Sequence, residues 1–392
     1  MLKVFKFVIF YLCDLLFLHY AKNPSHKKEK KQLLVVRTDA IGDYLMFRFF
    51  LQEIRRSKRF EDYEITLLGN QVWQQLTAEW DRLYVDHFIF CHPKSLNQNL
   101  IYRYKIFKRL AKVGFDTIIN PLYSRVYYLD KGLSVLGAKH LIGIDGDNWN
   151  IETWQKKVSD RFYNHLFRSN NRIAFEYDRN LEFCQWIIQE EITPNPSHIS
   201  LDLKVPKSLK EKFFQLIPFQ EDNIYIYLFT GAGSPYKIWD IKNFERLANH
   251  MLTLSSKVHI VVMGDKSSPK IQSQNRIHSL IDKLPLHESI LMAQYSNMII
   301  CNESMATHLG ASLDKTVFCI SNGNHYGRFL PYPEVLRRKV QYFLPPELTK
   351  DLKNIPIEEV IDRYHVNFND INSIDYNDVQ SQISTTIQRM LI

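Results

Sequence analysis

The sequence has few cysteines, and their placement excludes two classes of protein. Five cysteines are scattered through 392 residues, and no two of them form a C-x-x-C pair. An odd number of widely spaced cysteines provides neither a disulfide framework nor a zinc site. The sequence therefore predicts a protein of a reducing compartment.

The glycine motifs of common nucleotide-binding proteins are also absent. Neither G-x-G-x-x-G nor the Walker A pattern occurs in the chain. These loops bind phosphates through closely approaching main-chain N–H groups, so their absence is informative. It disfavours an oxidoreductase that uses a nicotinamide cofactor.

Excess positive charge is scarce outside the first 31 residues. The formal net charge is +8, and residues 1–31 hold seven lysines against Asp14 and Glu29, which leaves only three excess charges for the rest. A nearly balanced body with a basic arm points to an anionic surface touched by the arm, and away from nucleic acid gripped by a whole face. We therefore expect an anionic membrane surface as a partner and no nucleic acid.

The arm has an apolar run that is short for a membrane span. Residues 4–18 are apolar apart from Lys6 and Asp14, whereas a span needs about 20 apolar residues. At helical spacing Lys3, Lys6 and Asp14 fall on one narrow side, which predicts a helix lying in the membrane interface, with the lysines of residues 27–31 near anionic lipid. A helix that packs on the protein body and a transmembrane anchor are the alternatives. A signal peptide is disfavoured because the cleavage site is poor.

The rest of the chain reads as α/β. Apolar, β-rich runs alternate with stretches of helical spacing, and this alternation predicts parallel sheets covered on both faces. A proline-rich connection near residues 193–208 separates two such series, so we expect two doubly wound domains with a ligand cleft at the carboxyl ends of their strands. The nine predicted strands are residues 33–37, 64–69, 86–90, 115–120, 140–144, 223–229, 258–264, 297–301 and 316–320.

The first candidate site is the stretch LLVVRTDAIGDYLM, which begins at residue 33. A strand ends in a turn that leads into a helix, so Gly42 and Asp43 are placed at a helix N-terminus above the sheet edge. An aspartate there is ordinarily a cap or first-turn residue that complements the helix dipole. The alternative is a general base that takes a proton from a hydroxyl nucleophile.

The second candidate site is LFTGAGSPYKIWD, residues 228–240. After the strand, Thr230, Gly231 and Gly233 form a turn in which N–H groups can approach an anion, and Lys237 can supply charge for a diphosphate. A plain strand-to-helix turn with an exposed lysine is the alternative.

The third candidate site is NMIICNESMATHLGAS, residues 297–312. Ser304 is expected to cap a short helix whose first-turn N–H groups suit a phosphate, and Glu303 to accept hydrogen bonds from ribose or sugar hydroxyls. His308 lies on the same helix face as Ser304. A lone helical histidine is more often a structural hydrogen-bonding residue than a ligand contact, so that interpretation stays open.

Two weaker features complete the candidates. Asp265, after a predicted strand, is placed near the ligand cleft. Asp145 and Asp147 form a D-x-D triplet of the kind that metal-dependent transferases use, although loops often produce such triplets.

Together, in this order and spacing, the three stretches resemble glycosyltransferase family 9, the heptosyltransferases of lipopolysaccharide core assembly. The first stretch is similar to the family's strand and R-x-D-x-x-G-D opening, the second to its Lys-x-Trp turn, and the third to its Asp-Ser-Gly-x-x-His-x-Ala segment. The resemblance covers about residues 33–335. Three positions depart from the family pattern: Glu303 stands for its aspartate, Met305 for its glycine and Asp240 for its proline.

The resemblance implies a GT-B fold and an inverting, metal-independent transfer from a nucleotide sugar, with no cofactor. Asp43 matches the proposed catalytic base, Lys237 the lysine that neutralises the departing diphosphate, Ser304 the phosphate-binding helix end, and His308 the family histidine. The expected acceptor is a lipid-linked envelope glycan such as lipopolysaccharide core, with heptose as one option for the sugar. The enzyme would be cytoplasmic and peripheral on the inner face of the bacterial inner membrane.

We expect the chain to have four parts and ten substrate-binding residues. The parts are a membrane-interface arm and basic linker at 1–31, an acceptor-binding Rossmann-like domain at 32–205, a nucleotide-sugar-binding Rossmann-like domain at 206–345, and an extension with a final helix at 346–392. The residues are Gly42, Thr230, Gly231, Gly233, Lys237, Asp265, Glu303, Ser304, Met305 and His308. A catalytically silent binding protein that keeps the fold is the alternative function, favoured by the changes at 303 and 305.

Overall fold

The chain forms two compact units. The first comprises Met1–Arg172 and Tyr177–Thr193, and the second Ile173–Glu176 and Pro194–Ile392. The computed structural model describes residues 9–10, 12, 14–15, 29–169, 173–366 and 369–392.

The first unit is built on a six-stranded parallel sheet in the order β3-β2-β1-β4-β5-β6. All six residues of its central strand β1 are buried, as expected for a parallel strand covered on both faces. The strands are β1 (Gln32–Arg37), β2 (Glu64–Asn70), β3 (His87–Cys91), β4 (Thr117–Asn120), β5 (His140–Ile144) and β6 (His165–Phe167). The helices are α1 (Ile41–Arg56), α2 (Gln74–Trp80), α3 (Pro93–Gln98), α4 (Leu100–Val113), α5 (Tyr127–Ser134), α6 (Thr153–Ser159) and α7 (Glu176–Ile188).

The second unit repeats this architecture in the order β12-β11-β10-β7-β8-β9. Numbered from its own first strand, it has the same order as the first unit, with a reversal between β7 and β10. The strands are β7 (Ile224–Phe229), β8 (Val258–Met263), β9 (Ile277–Ser279), β10 (Met298–Asn302), β11 (Thr316–Ile320) and β12 (Val340–Phe343). The helices are α8 (Lys207–Leu216), α9 (Ile241–Leu254), α10 (Leu286–Met292), α11 (Met305–Ser312), α12 (Pro346–Asn354), α13 (Ile357–Val366) and α14 (Tyr376–Leu391).

Both cores lie between a sheet and its covering helices. In the second unit, residues of β7, β8 and β10 share one buried cluster with the apolar stripes of α9 and α14, so the last helix belongs to this core. The stripe of α14 is Val379, Ile383 and Ile387, whose spacing of four places them on one helix face. The two doubly wound α/β sheets predicted from the sequence are confirmed.

The N-terminal arm contacts the first unit at its described positions. Asp14 is fully buried and accepts two hydrogen bonds from Arg103 of α4, Nε to Oδ1 at 2.9 Å and Nη2 to Oδ2 at 2.8 Å. Phe10 is also buried, with its ring 4.9 Å from that of Tyr128. Packing on the body, the alternative expected for the arm, is therefore what these residues show.

Two leucines of the arm, by contrast, are exposed. Leu12 is 57% exposed and Leu15 41% exposed. No helix among the described residues is long and apolar enough to cross a membrane. Lys3, Lys6, Lys27 and Lys28, on which the membrane-interface expectation also rests, lie outside the described residues.

Candidate active site

In a doubly wound sheet, ligands bind beyond the carboxyl ends of the strands, where the strand order reverses. In the first unit this point lies between β1 and β4. β1 ends at Arg37 and α1 begins at Ile41, so Gly42 and Asp43 lie in the first turn of α1. The N-cap residue is Ala40, whose methyl group cannot accept a hydrogen bond, and Asp43 is the acidic residue of that turn. Asp43 is thus a first-turn residue at the expected edge, and its side chain is half-buried.

The loop before Asp43 is held by buried side chains. Arg37, fully buried, donates from Nη2 to the carbonyl oxygen of Asp43 at 3.1 Å and pairs through Nε with Asp39 at 3.1 Å. Asn70 donates to the carbonyl oxygens of residues 38 and 39, and Trp73 donates from Nε1 to that of Asp39 at 3.1 Å. These bonds fix the backbone that carries Asp43.

The second unit places its candidate residues at the corresponding point between β7 and β10. Asn302, the last residue of β10, donates from Nδ2 to the carbonyl oxygen of Thr230 at 2.8 Å and accepts from the N–H of Trp239 at 3.0 Å. One buried amide therefore holds both ends of the loop that carries Lys237. Asn302 was not among the predicted site residues, although an asparagine at the end of a buried strand is a recognisable signal.

The two loop glycines differ in what they permit. A Cβ on Gly231 would lie 2.5 Å from Oγ of Ser268, so a larger residue here would force the Ser268 side chain to move. A Cβ on Gly233 would meet nothing within 4 Å among the described atoms, and the residue is exposed. Thr230 is buried and donates to the carbonyl oxygen of Pro269. Gly231 thus serves the close packing of two loops, whereas Gly233 faces open space in the loop that leads to Lys237.

Asp265 forms a turn beyond β8. Its carboxylate accepts hydrogen bonds from the N–H and hydroxyl of Ser267 and from the hydroxyl of Ser268, and hydrogen bonding from Ser267 lowers its pKa. The residue is exposed. Its described hydrogen bonds are those of a loop residue, and they do not connect it to Lys237.

Lys237 is the centre of a compact charged cluster, which we call the lysine cluster and which comprises Lys237, Glu303, Ser321 and His325. The ammonium Nζ lies 2.8 Å from Oε1 of Glu303 and 2.7 Å from Nδ1 of His325. His325 Nδ1 is also 2.7 Å from the same carboxylate oxygen, and Ser321 donates its hydroxyl to Oε2. The lysine side chain is only 11% exposed, so the exposed lysine of the alternative interpretation is not what the structure shows.

The charges of this cluster keep Glu303 ionised. Burial by itself would raise the pKa of this carboxyl group, but the charges and hydrogen bonds of Lys237 and His325 outweigh burial and hold the pKa well below its usual range. Both carboxylate oxygens have protein partners. Glu303 is therefore placed to hold Lys237, and its contact with ribose or sugar hydroxyls stays a prediction.

Ser304 caps α11 as expected. Its hydroxyl accepts from the N–H of Ala306 at 3.3 Å, and Met305 is the first residue of the helix. Ser304 and Met305 are half-buried. The helix N-terminus thus begins directly after Glu303, and its dipole adds positive potential beside Lys237.

His308 is a buried, neutral histidine. It is 5% exposed, and its Nδ1 lies 2.7 Å from the hydroxyl of Tyr332. Burial lowers its pKa to about 4, and the opposing effect of Glu303 is too small to reverse the shift. An uncharged ring supplies no positive charge to a phosphate at neutral pH, so this geometry favours the structural interpretation.

Asn324 and His325 were not singled out in the sequence. Asn324 is 4% exposed, and neither its Nδ2 nor its Oδ1 finds a hydrogen-bond partner among the residues that the structure describes. A buried amide in this state is costly, which points to a polar group of a ligand. Asn322, two residues earlier, donates to the carbonyl oxygen of Tyr236 beside Lys237, and so ties this loop to the lysine cluster.

The D-x-D triplet is engaged with cations and hydroxyls of its own unit. Asp145 pairs with Lys156 and with Arg168, and Asp147 accepts from the hydroxyl of Ser124 at 2.9 Å. Within the described part of the chain, no group of three or more His, Cys, Asp or Glu side chains is arranged to hold a metal ion.

Comparison with known families identifies the protein class. Residues 103–334 match the description "Glycosyltransferase family 9 (heptosyltransferase)". The chain belongs to glycosyltransferase family 9. It is accordingly a glycosyltransferase, and the family expectation drawn from the three stretches is confirmed.

Solved structures share the fold of this family 9 protein over nearly its whole length. A glycosyl transferase of family 9 from Veillonella parvula DSM 2008 covers 92% of this chain and 97% of its own, with a TM-score of 0.68 and 16% identity. E. coli ADP-heptose lps heptosyltransferase II covers 92% and 100%, with a TM-score of 0.62 and 13% identity. E. coli heptosyltransferase WaaC with ADP-2-deoxy-2-fluoro heptose covers 91% and 99%, with a TM-score of 0.60 and 13% identity. No curated protein sequence matches the chain.

These neighbours establish a GT-B-like pair of Rossmann-like domains for the family 9 chain. The family segment begins within α4 and ends shortly after the lysine cluster. It therefore includes Lys237, Glu303 and His308, while Asp43 lies before it. The role of Asp43 rests on the R-x-D-x-x-G-D resemblance and on its position in the first turn of α1.

Proposed function

We propose that this glycosyltransferase moves a sugar from a nucleotide sugar to a lipid-linked envelope glycan, by a metal-independent, inverting displacement and without a cofactor. The donor is bound by the second unit and the acceptor by the first. Heptose is one option for the sugar and lipopolysaccharide core one option for the acceptor. The proposed site of action is the cytoplasmic face of the bacterial inner membrane.

The observation that carries this proposal is the position of Lys237. Its ammonium is almost fully buried beside the N-terminus of α11, at the point where the strand order of the second unit reverses. Two positive features at a ligand edge suit a diphosphate, because a helix dipole and a fixed cation both stabilise its negative charge. A diphosphate is also the group that leaves in transfer from a nucleotide sugar.

The chemistry assigns one step to each unit. A carboxylate oxygen of Asp43 takes the proton of the acceptor hydroxyl, and the hydroxyl oxygen forms a bond to the anomeric carbon. The bond from that carbon to the diphosphate oxygen breaks, and its electron pair remains on the diphosphate, where Lys237 neutralises the charge. A single displacement of this kind inverts the anomeric centre.

The donor part of the proposal draws on the structural neighbours. WaaC structures hold ADP or an ADP-heptose analogue, and heptosyltransferase II is named for ADP-heptose. At 13% identity this likeness gives the fold alone, so adenine and heptose are the first options to test. Glu303 and Met305, which depart from the family pattern, both lie beside Lys237 or the start of α11.

The membrane part of the proposal rests on two segments of the first unit, helix α4 and the arm. Helix α4 carries five cations and no acid, and its outer face presents Lys105, Arg109 and Lys112 together with Ile101, which is 71% exposed. The ion pair of Arg103 with Asp14 joins this helix to the arm. Exposed leucines and a cationic helix face suit anionic lipid headgroups above an apolar layer.

A second candidate is a catalytically silent binding protein. The ion pair of Lys237 with Glu303 favours this function, because a paired lysine is less available to a diphosphate.

One assay distinguishes the two functions. A panel of nucleotide sugars, including ADP-heptose, is incubated with the protein and membrane extracts, and transfer of labelled sugar and inversion of the anomeric centre are followed with and without a chelator. Donor binding without transfer to any extract would support the silent protein, and chelator-sensitive transfer would contradict metal independence.

A further inference from the structure

His325 sits where one ring nitrogen has two competing partners. Its Nδ1 lies 2.7 Å from the ammonium of Lys237 and 2.7 Å from Oε1 of Glu303. A bare Nδ1 can accept from the ammonium, and a protonated Nδ1 can donate to the carboxylate, but one nitrogen cannot do both. The two contacts therefore belong to alternative hydrogen-bond arrangements of one cluster.

Glu303 stays satisfied in one of these arrangements even without Lys237. Ser321 donates to Oε2, and a protonated His325 Nδ1 donates to Oε1, so each carboxylate oxygen keeps a partner. This matters because Glu303 is only 6% exposed, and removing the partner of a buried charge is strongly unfavourable. The imidazole is 19% exposed, so water can exchange its protons.

We propose that Lys237 exchanges partners when a nucleoside diphosphate binds. Its ammonium leaves Oε1 of Glu303 for the diphosphate oxygens, and His325 takes over that carboxylate oxygen. His325 is a positioning residue: it makes Lys237 available without leaving Glu303 unpaired. This inference rests on the proposed function, because it supposes that a diphosphate binds at Lys237.

In this exchange Glu303 is the counter-charge of Lys237, a function that a sugar-binding carboxylate would not have. Glu303 holds the ammonium in place in the empty site, and the diphosphate replaces it as the counter-charge. Without His325, the departure of Lys237 would leave Oε1 of Glu303 without a partner, so the lysine would stay with Glu303. Removing the negative charge of Glu303 should make His325 dispensable, and this dependence is the testable signature.

The test is a double-mutant cycle on diphosphate affinity. Calorimetry first compares ADP, GDP, UDP and CDP on the full-length protein, and the tightest of the four becomes the probe. We expect His325→Leu to raise the dissociation constant about tenfold, and His325→Leu combined with Glu303→Gln to return it to within about threefold of Glu303→Gln alone. His325→Gln, whose amide can donate to Glu303, should bind nearly as tightly as the natural protein.

A control variant separates folding from positioning. His250→Leu removes a histidine of α9 that contacts Ser384, and it should leave the dissociation constant unchanged. Thermal unfolding is recorded for every variant, and His325→Gln provides the comparison if His325→Leu does not fold.

The outcomes distinguish this inference from the proposed function. If none of the four diphosphates binds the natural protein, the proposed function is wrong and the exchange with it. If a diphosphate binds but His325→Leu binds it equally well, or if Glu303→Gln brings no recovery in the double variant, only the exchange is wrong.

Discussion

Arg37 donates a hydrogen bond from its buried guanidinium to the main-chain carbonyl oxygen of Asp43, over 3.1 Å. The same guanidinium reaches the carbonyl oxygen of Pro121 at 3.4 Å and pairs with Asp39. A side chain under the sheet edge therefore fixes the turn that presents the proposed base. A base must be within hydrogen-bond reach of the proton that it takes, so the rigidity of this turn bears directly on catalysis.

Asp43→Asn should slow transfer strongly and leave donor binding intact. The amide keeps the size of the side chain but cannot take a proton, so we expect kcat to fall by a factor of about 100 to 10,000. Asp43→Glu, which restores a carboxylate in a shifted position, should recover part of this loss. Transfer of labelled sugar and calorimetric titration of the donor provide the two measurements. Full turnover by Asp43→Asn would remove Asp43 from the mechanism.

Arg37→Lys should lower turnover without weakening donor binding. A lysine ammonium is a single point and cannot reproduce the planar set of donors that serves Asp43, Pro121 and Asp39, so the turn loosens. A displaced catalytic group costs rate, and we expect about a tenfold loss in kcat. Arg103→Lys is the control, because Arg103 is also fully buried in the first unit but lies on α4 and donates to Asp14 of the arm. An equal loss of kcat in both variants would show a general effect of destabilisation.

The central strands could be predicted from sequence, and the missing ones share a physical reason. All nine predicted strands are present within a few residues of their predicted bounds. The three that were missed are β6, β9 and β12, of three or four residues each, and all three lie at an edge of their sheet. An edge strand has one neighbour and is partly exposed, so it lacks the continuous apolar run that marks a strand buried on both faces.

The candidate site was predictable where local motifs carry it. Asp43 in a first turn and Ser304 as a cap depend on neighbouring residues, and the structure has both. The partners of Glu303 depend on three separate segments, because Lys237, Ser321 and His325 come together only when β7, β10 and β11 pair. No local sequence pattern predicts a contact between residues so far apart in the chain, which is why His325 was missed.

His308→Gln should reduce the acid sensitivity of the fold. Burial holds the pKa of His308 at about 4, below the ordinary 6.5, so between these values the unfolded chain binds a proton that the folded protein does not. The free energy of unfolding contributed by this residue is therefore present above pH 6.5 and is lost as the pH falls toward 4, by roughly 3 kcal/mol at most. Urea unfolding at several pH values should show a shallower fall for the variant. An identical pH dependence would mean that burial does not lower the pKa of His308.

Asn324→Leu should stabilise the empty protein and weaken donor binding. The amide of Asn324 is buried without a partner among the described residues, so an apolar side chain of similar size should raise the free energy of unfolding by about 1 kcal/mol. If the amide serves a ligand, the same change should raise the donor dissociation constant about tenfold. Asn322→Leu is the control and should destabilise, because Asn322 bonds Tyr236 and the N–H of residue 324. Stabilisation with unchanged donor affinity would assign Asn324 to the fold alone.

Replacing Lys105, Arg109 and Lys112 with glutamine should release the protein from anionic membranes. The three residues recur at helical spacing on the exposed side of α4, next to the arm residues held by Arg103. A cation near an anionic leaflet contributes about 1 kcal/mol, so the triple variant should bind vesicles containing phosphatidylglycerol on the order of a hundredfold more weakly.

A matched variant controls for net charge. Lys204, Lys207 and Lys210 are exposed in the second unit, and replacing them with glutamine removes the same charge from another surface. Co-sedimentation with vesicles should then fall for the α4 variant and remain for the control, and added salt should shrink the difference, because screening weakens exposed charges first. Equal losses in both variants would point to net charge as the cause. Undiminished binding in both would leave the arm, with its exposed Leu12 and Leu15, as the membrane contact, since apolar insertion does not depend on the charges of α4.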